Sequence, residues 1–154
     1  MSQATPPPFN QEQAKLMRAR QRVEIATLDY KRALKNAKGK MTQAEISKAV
    51  HISQPAVAKA LRDTTNVPDA LDGFSAASPF ELCQRYAAGF IDREDMLDQL
   101  ARWPYRPTPH PDEFGDYTES FNGTFSEVSV AVSMGLLSST DYKDLYERLV
   151  SQHK

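Results

Sequence analysis

Residues 41–62 (MTQAEISKAVHISQPAVAKALR) predict two short helices joined by a tight turn. Thr42 is a suitable N-cap for the first helix, and Glu45, three residues later, completes a capping box. Ser53 is a suitable N-cap for the second helix. Pro55 falls in the first turn of that helix, where its missing N–H group costs nothing.

Apolar spacing in the same stretch predicts which side of the second helix is buried. Val57 and Leu61 are four residues apart and therefore lie on one face of a helix. Ile52, in the turn, is expected to point into the same core. We predict helices near 42–49 and 54–63.

This segment resembles the helix-turn-helix of bacterial and phage transcriptional regulators. In that family the second helix enters the DNA major groove, and its N-terminal residues contact base edges. The resemblance implies that double-stranded DNA is the partner and that no cofactor is needed. The DNA-binding residues that it implies are Thr42, Gln43, Ser53, Gln54, Pro55, Ala58, Lys59, Arg62, Lys38 and Lys40.

These residue types suit different parts of a DNA site. The amide of Gln54 can bond adenine, and the methyl group of Ala58 can contact thymine. Hydroxyl groups at helix N-termini, on Thr42 and Ser53, suit phosphate contacts. The cations suit the phosphate backbone, and they are Lys59, Arg62, Lys38 and Lys40.

The turn departs from the family pattern at His51. Many relatives have Gly there, because the turn usually needs a positive φ. Histidine tolerates the left-handed region better than a β-branched residue does, at some cost in energy. We expect the turn geometry, rather than the motif, to be affected.

The charge distribution agrees with this resemblance. The whole chain has 19 Lys and Arg against 20 Asp and Glu, for a net charge of −1. Residues 1–67 carry 12 bases and five acids, for a net charge of +7; residues 68–154 carry seven bases and 15 acids, for −8. This asymmetry indicates different partners for the two parts of the chain.

A long helix is predicted over 10–38, with Asn10 as N-cap and Gly39 as its end. Its apolar residues recur every three and four positions, and we call them the α1 seam: Leu16, Ala19, Val23, Ala26, Tyr30, Ala33 and Ala37. The seam is either a surface that packs on the two short helices or a coiled-coil dimer interface. We favour packing, because four of its seven residues are alanine and bury little area. A homodimer is still expected, since such regulators commonly bind two half-sites.

Composition divides the chain further and predicts an all-α protein. Residues 1–8 (MSQATPPP) are predicted to be disordered, and a Pro-rich loop is expected over 104–123. The predicted domains are a helix-turn-helix domain at 9–66, a linker at 67–78 and an acidic helical interaction domain at 79–154. The helices expected in the last domain are 79–88, 93–102, 124–134 and 139–152.

The acidic part contains an internal repeat. Residues 86–102 align without gaps on 132–148, so that Gly89 matches Gly135 and Asp92 matches Ser138. Each copy would end one helix at a left-handed glycine and cap the next with Asp or Ser. We therefore expect two αα-hairpins that pack together.

The sequence gives little support for catalysis or metal binding. Asp92, Glu94, Asp95 and Asp98 form a cluster of acids, and the first three are interpreted as partners of a helix dipole rather than metal ligands. The histidines are scattered, the chain has one cysteine, and there is no Gly-rich phosphate loop. We expect no enzyme, no metal and no membrane span, and the single Cys83 favours a cytosolic protein.

Trp103 and Tyr105 flank Pro104 at the end of a predicted helix. Such aromatics either anchor a partner protein or close over a small core. They are the candidate partner-binding residues of the acidic part.

Three functions agree with these patterns. The first is a sequence-specific transcriptional regulator, a repressor. The second is an antitoxin or adaptor whose acidic domain binds a partner protein while the helix-turn-helix autoregulates its operon. The third is an architectural DNA protein with little sequence preference.

Overall fold

The computed structural model describes residues 9–152 and is all-helical there, as predicted. The described residues contain no strand, only isolated bridge pairs between Lys38 and Met41 and between Arg106 and Thr124. The predicted disordered segment, 1–8, lies outside the described residues. The helices are α1 (Gln11–Ala37), α2 (Gln43–Val50), α3 (Gln54–Asp63), α4 (Pro79–Ala88), α5 (Arg93–Arg102), α6 (Ser126–Ser133) and α7 (Ser139–Gln152).

Local capping explains why these boundaries follow the sequence closely. At the start of α1, the Asn10 side chain accepts from Gln13 N at 2.8 Å, and the Gln13 side chain accepts from Asn10 N at 3.0 Å. Ser78 caps α4 and is followed by Pro79 in the first turn, while Gly89 ends the helix at φ 85°. These residues determine where the helices begin and end without long-range contacts.

The chain forms two compact units. Among the described residues, unit 1 comprises 9–22 together with 70–152, and unit 2 comprises Val23–Asp69. The first half of α1 therefore belongs to unit 1, whereas the sequence patterns predict that it lies in the 9–66 domain. Two contacts hold it there: Arg22 Nε donates to Ala88 O at 2.9 Å, and Gln84 Nε2 donates to Gln21 Oε1 at 3.1 Å.

The segment predicted as a linker, 67–78, is anchored at both ends. Lys35 Nζ donates to Val67 O at 2.8 Å within unit 2. Ser75 N donates to Gln99 Oε1 at 2.8 Å within unit 1. Between these two contacts, residues 68–73 are exposed.

Unit 2 has a small core between the end of α1 and the pair α2 and α3. Val57 is fully buried, and Ala37, Val50, Ile52 and Ala60 pack against the centre of the core. The central residues are Leu34, Ile46, Val57 and Leu61. The C-terminal end of α1 packs on the two short helices through Leu34, which is not a seam residue, and through Ala37. The favoured interpretation of the α1 seam is therefore wrong for most of its length, because six of its seven residues are exposed.

Unit 1 has the larger core. Helix α4 contacts α5 and α6, and α7 contacts α5 and α6. The largest fully buried side chains of this core are Leu82, Met96, Leu97, Leu100, Leu145 and Val128. Met17 of α1 packs against it.

The two copies of the sequence repeat adopt the same local geometry within unit 1. Gly89 and Gly135 are both left-handed, at φ 85° and 80°. Asp95 N donates to the Asp92 carboxylate at 2.8 Å, and Asp141 N donates to Ser138 Oγ at 3.0 Å. The predicted glycine stop and polar cap are therefore present in both copies.

Residues 104–123 form the long loop expected from their prolines. Arg106 N donates to Gly123 O at 2.9 Å, which brings the two ends of the loop together. Pro109 is buried, whereas 110–122 are exposed throughout. Within the part of the chain that the structure describes, no helix has the length and apolar character needed to cross a membrane.

Candidate nucleic-acid interface

The beginning of α2 is closed by its own side chains. Glu45 N donates to Thr42 Oγ1 at 3.1 Å, and the Glu45 carboxylate accepts from Thr42 N, which forms the predicted capping box. The Thr42 hydroxyl also donates to Glu45 Oε1 at 3.1 Å. A carboxylate thus already occupies the positive end of α2, so Thr42 and its neighbour Gln43, although exposed, face a competing negative charge.

The turn between α2 and α3 is made by His51 and Ile52. His51 has φ 59° and ψ 41° and is the only non-glycine residue with positive φ among residues 9–152. Its N–H donates to Ser47 O at 2.9 Å, and the Ser47 hydroxyl donates to Ile52 O. The departure at His51 therefore keeps the left-handed turn that Gly would supply.

The beginning of α3 differs from that of α2. Ser53 Oγ accepts from Ala56 N at 3.3 Å, and Pro55 lies in the first turn, as predicted. No acid is present in that first turn. The positive end of α3 therefore lacks an internal counter-charge, a condition that favours an anion such as phosphate.

Burial gives α3 one packed side and one open side. Val57 and Leu61 are buried on the core, while Gln54, Lys59 and Arg62 are exposed. The remaining candidates on this helix divide in the same way: Pro55 is exposed and Ala58 is half-buried. The structure thus presents all the polar candidates of α3 to solvent.

Lys38 and Lys40 lie in the turn that connects α1 to α2. Gly39, between them, has φ 85°, and Lys40 N donates to Ala37 O at 3.0 Å. Both lysines are exposed. They lie in the same compact unit as α3 and add two positive charges to it.

The cations of unit 2 outnumber its acids. Residues 23–69 hold eight Lys and Arg and five Asp and Glu, for a net charge of +3. Within residues 9–152, no carboxylate lies within ion-pair distance of the four basic candidates. These candidates are Lys38, Lys40, Lys59 and Arg62.

Several arginines of unit 1 have carboxylate partners. Arg93 Nε lies 2.8 Å from Asp141 Oδ1, and Arg148 donates to Glu94 at 2.8 Å. Burial opposes ionisation of Asp141, but hydrogen bonds from Arg93 and Ser138 outweigh it, so the pKa of Asp141 lies below its ordinary value. The charges of this unit therefore stabilise contacts within the unit.

The acids that begin α5 serve the helix. Asp92 is its N-cap, while Glu94 and Asp95 lie in its first turn, near the positive end of the dipole. Asp98 pairs with Arg102 at 3.0 Å. Among the described residues, no group of three or more His, Cys, Asp or Glu side chains is arranged to hold a metal ion.

Trp103 and Tyr105, the candidate partner-binding residues, belong to the core of unit 1. Trp103 is only 7% exposed and contacts Phe74 edge-on, with ring centroids 4.7 Å apart. The Tyr105 hydroxyl donates to Leu100 O, and burial raises the pKa of Tyr105. Of the two interpretations of these rings, the structure favours closure of the core.

A more exposed group of aromatics lies on the long loop, where the sequence singled out no site. Phe114 is 80% exposed and Tyr117 52% exposed, and Tyr117 contacts Phe121 with ring centroids 5.0 Å apart. The same segment carries four acids and no base: Asp112, Glu113, Asp116 and Glu119. The alternation of acids and aromatics is the signal that identifies this segment, residues 112–121, which we call the acidic loop.

Comparison of the chain with models of protein families, with curated proteins and with solved structures finds no match.

Proposed function

We propose that this protein is a sequence-specific double-stranded DNA-binding transcriptional regulator, a repressor, that places α3 of a helix-turn-helix in the major groove and acts in the cytosol. The observation that carries this proposal is the open side of α3. Gln54 is exposed in the first turn, which has no acid, and Lys59 and Arg62 are exposed further along the helix. A helix of this kind fits the width of the major groove.

We assign different roles to the candidates on the basis of their local contacts. Gln54, in the first turn, is the residue best suited to distinguish bases, because its side-chain amide can form two hydrogen bonds with adenine. Ser53 uses its hydroxyl oxygen as acceptor for the helix cap, and its O–H remains able to donate to phosphate. Lys59 and Arg62 supply contacts to the backbone that do not depend on sequence.

Selection of bound sites from random double-stranded DNA tests the proposal directly. The full-length chain is expected to enrich one sequence, present as two half-sites with a fixed spacing. Enrichment of no sequence at all would overturn a regulator that recognises bases and would favour an architectural DNA protein.

A Gln54→Ala variant then tests the role of α3 on the enriched site. It is expected to lose about 1–3 kcal/mol of binding free energy there, and to bind unrelated DNA as the unchanged protein does. Asn36→Ala, at an exposed position of α1 in the same unit that is not a candidate, is the control and should keep the preference. An equal loss by Gln54→Ala on all sequences would rule out base contacts by Gln54.

A second function, an antitoxin or adaptor that binds a partner protein, is favoured by the acidic loop. Its aromatics are exposed and its four acids have no base among them. Aromatic side chains are typical anchors of protein interfaces, and the negative charge favours a basic partner.

Co-expression with the product of a neighbouring reading frame tests this second function. If that product is a small basic protein, a stable complex is expected on size-exclusion chromatography. The complex should be lost in Phe114→Ala/Tyr117→Ala and kept in Tyr146→Ala, a control at another exposed aromatic of unit 1. Absence of any complex would exclude this role for the acidic loop.

A further inference from the structure

The α1 seam remains exposed over most of its length. Leu16 is 72% exposed, Val23 56% and Tyr30 43%. These three large apolar side chains are seven residues apart, and the alanines between them at 19 and 26 are exposed as well. The opposite side of α1 carries Ile25, which is fully buried. A helix in water rarely keeps a regular apolar row of this kind without a partner.

The spacing of the seam indicates the kind of partner. A seven-residue period keeps an apolar row in line only when a second helix winds around the first. Helix α1 has 27 residues and is about 40 Å long, and no other helix of residues 9–152 is of comparable length. The helix that matches α1 in period and length is α1 of a second copy.

We propose that the seam is a homodimer interface in which two α1 helices pack antiparallel. A twofold axis between residues 24 and 25 would place Val23 opposite Ala26 and Tyr30 opposite Ala19 of the partner copy. Every large residue of the seam then faces an alanine, which is how packed layers interdigitate. A parallel pair would instead place each alanine against itself and leave gaps.

The same register gives the most exposed seam residue a place to bind. Leu16 falls opposite Ala33 of the partner copy. Ala33 lines an apolar groove of about 180 Å³ within unit 2, together with Tyr30, Ala37 and Met41. This groove is large enough for one branched aliphatic side chain, and Leu16 of the second copy fits it in size and polarity.

The area available is appropriate for a dimer. The three large seam residues and Met41, which is 39% exposed, present roughly 400 Å² of surface on each copy, about half of the ~800 Å² per partner of a stable interface. The alanines and the aliphatic stems of flanking side chains supply the remainder.

Sedimentation of the full-length chain without DNA tests the interface, so the result does not depend on the proposed function. A dimer is expected at micromolar concentration, and Val23→Lys/Tyr30→Lys should weaken dimerisation at least 100-fold. Both positions are exposed, so helix content should stay unchanged by circular dichroism. Lys31→Glu, at a neighbouring position off the seam, is the control and should remain a dimer. A monomeric unchanged protein, or a dimeric seam variant, would overturn the proposal.

Disulfide cross-linking tests the orientation. Leu16→Cys/Ala33→Cys is expected to form a cross-linked dimer. Leu16→Cys alone is not, because an antiparallel pair holds the two substituted positions about 25 Å apart. The native Cys83 is buried and its pKa is raised to about 12, so it remains an unreactive thiol. Efficient cross-linking by Leu16→Cys alone would contradict the antiparallel arrangement.

Discussion

Three arginines of unit 1 and two cations of α3 in unit 2 have opposite electrostatic surroundings. In unit 1, Arg93, Arg102 and Arg148 each lie within 3.0 Å of a carboxylate oxygen. In unit 2, Lys59 and Arg62 have no carboxylate within ion-pair distance among the described residues. Pairing at a surface contributes little stability, so the difference matters mainly for what each surface attracts.

This comparison shows why net charge is a poor guide to the partner of this chain. The paired arginines of unit 1 cancel their own field locally, and the remaining acids make that unit negative. Lys59 and Arg62 of unit 2 have no carboxylate within ion-pair distance among the described residues, and the first turn of their helix has no acid. From this distribution we expect a polyanion to be attracted to unit 2, although the whole chain carries a charge of −1.

Charge reversal in each unit tests this difference and has the largest expected effect. Lys59→Glu should lower affinity for double-stranded DNA about 10- to 100-fold at low salt, because it replaces a phosphate contact by a repulsion. Fluorescence anisotropy at several salt concentrations measures both the affinity and its salt dependence. The salt slope should become shallower in Lys59→Glu.

Lys143→Glu is the matched control. Lys143 is an exposed lysine of α7, and its reversal changes the net charge by the same amount. We expect less than a twofold change in DNA affinity. An equal loss in both variants would show that overall charge, rather than the surface of α3, governs binding.

Much of the fold could be predicted because the signals are local. Capping residues such as Asn10, Ser53 and Ser78 act within one turn of helix, so the sequence alone locates the helix ends. The division into units could not be predicted in the same way. It depends on long-range contacts, such as Arg22 with Ala88, that no periodicity records.

The candidate site shows the same limit. The spacing of Val57 and Leu61 predicts the buried side of α3, and the remaining side is then predicted to be exposed. Sequence could not show that the Thr42 hydroxyl already bonds Glu45, nor that Trp103 is buried while Phe114 is exposed. Each of these facts depends on the contacts that a side chain makes in the folded protein.

Removing one partner of the part-buried ion pair in unit 1 tests the other side of the comparison. Asp141→Asn should lower the free energy of unfolding by about 1–2 kcal/mol at pH 7, since it weakens the charged hydrogen bond from Arg93. Urea denaturation followed by fluorescence measures this, because Trp103 is the only tryptophan of the chain and lies in the same core.

The effect should depend on pH with a definite sign. The folded pKa of Asp141 lies below its unfolded value, so its contribution is complete above the unfolded value of 3.8. The contribution is lost as pH falls through the folded pKa, so the two proteins should converge in strong acid. Asp144→Asn, which removes a more exposed partner of Arg93, should cost less. A constant difference at all pH values would exclude the ion pair as its cause.

The left-handed turns give the smallest expected effect. Unit 1 uses glycine at Gly89, whereas unit 2 uses His51 at φ 59°. His51→Gly removes the steric cost of a side chain in this region but adds chain entropy to the unfolded state. We expect a net stabilisation of about 0.5 kcal/mol, measured by thermal denaturation. Gly89→Ala should act in the opposite direction because it introduces that steric cost. If His51→Gly were destabilising, the exposed imidazole would have to contribute to the turn beyond its backbone conformation.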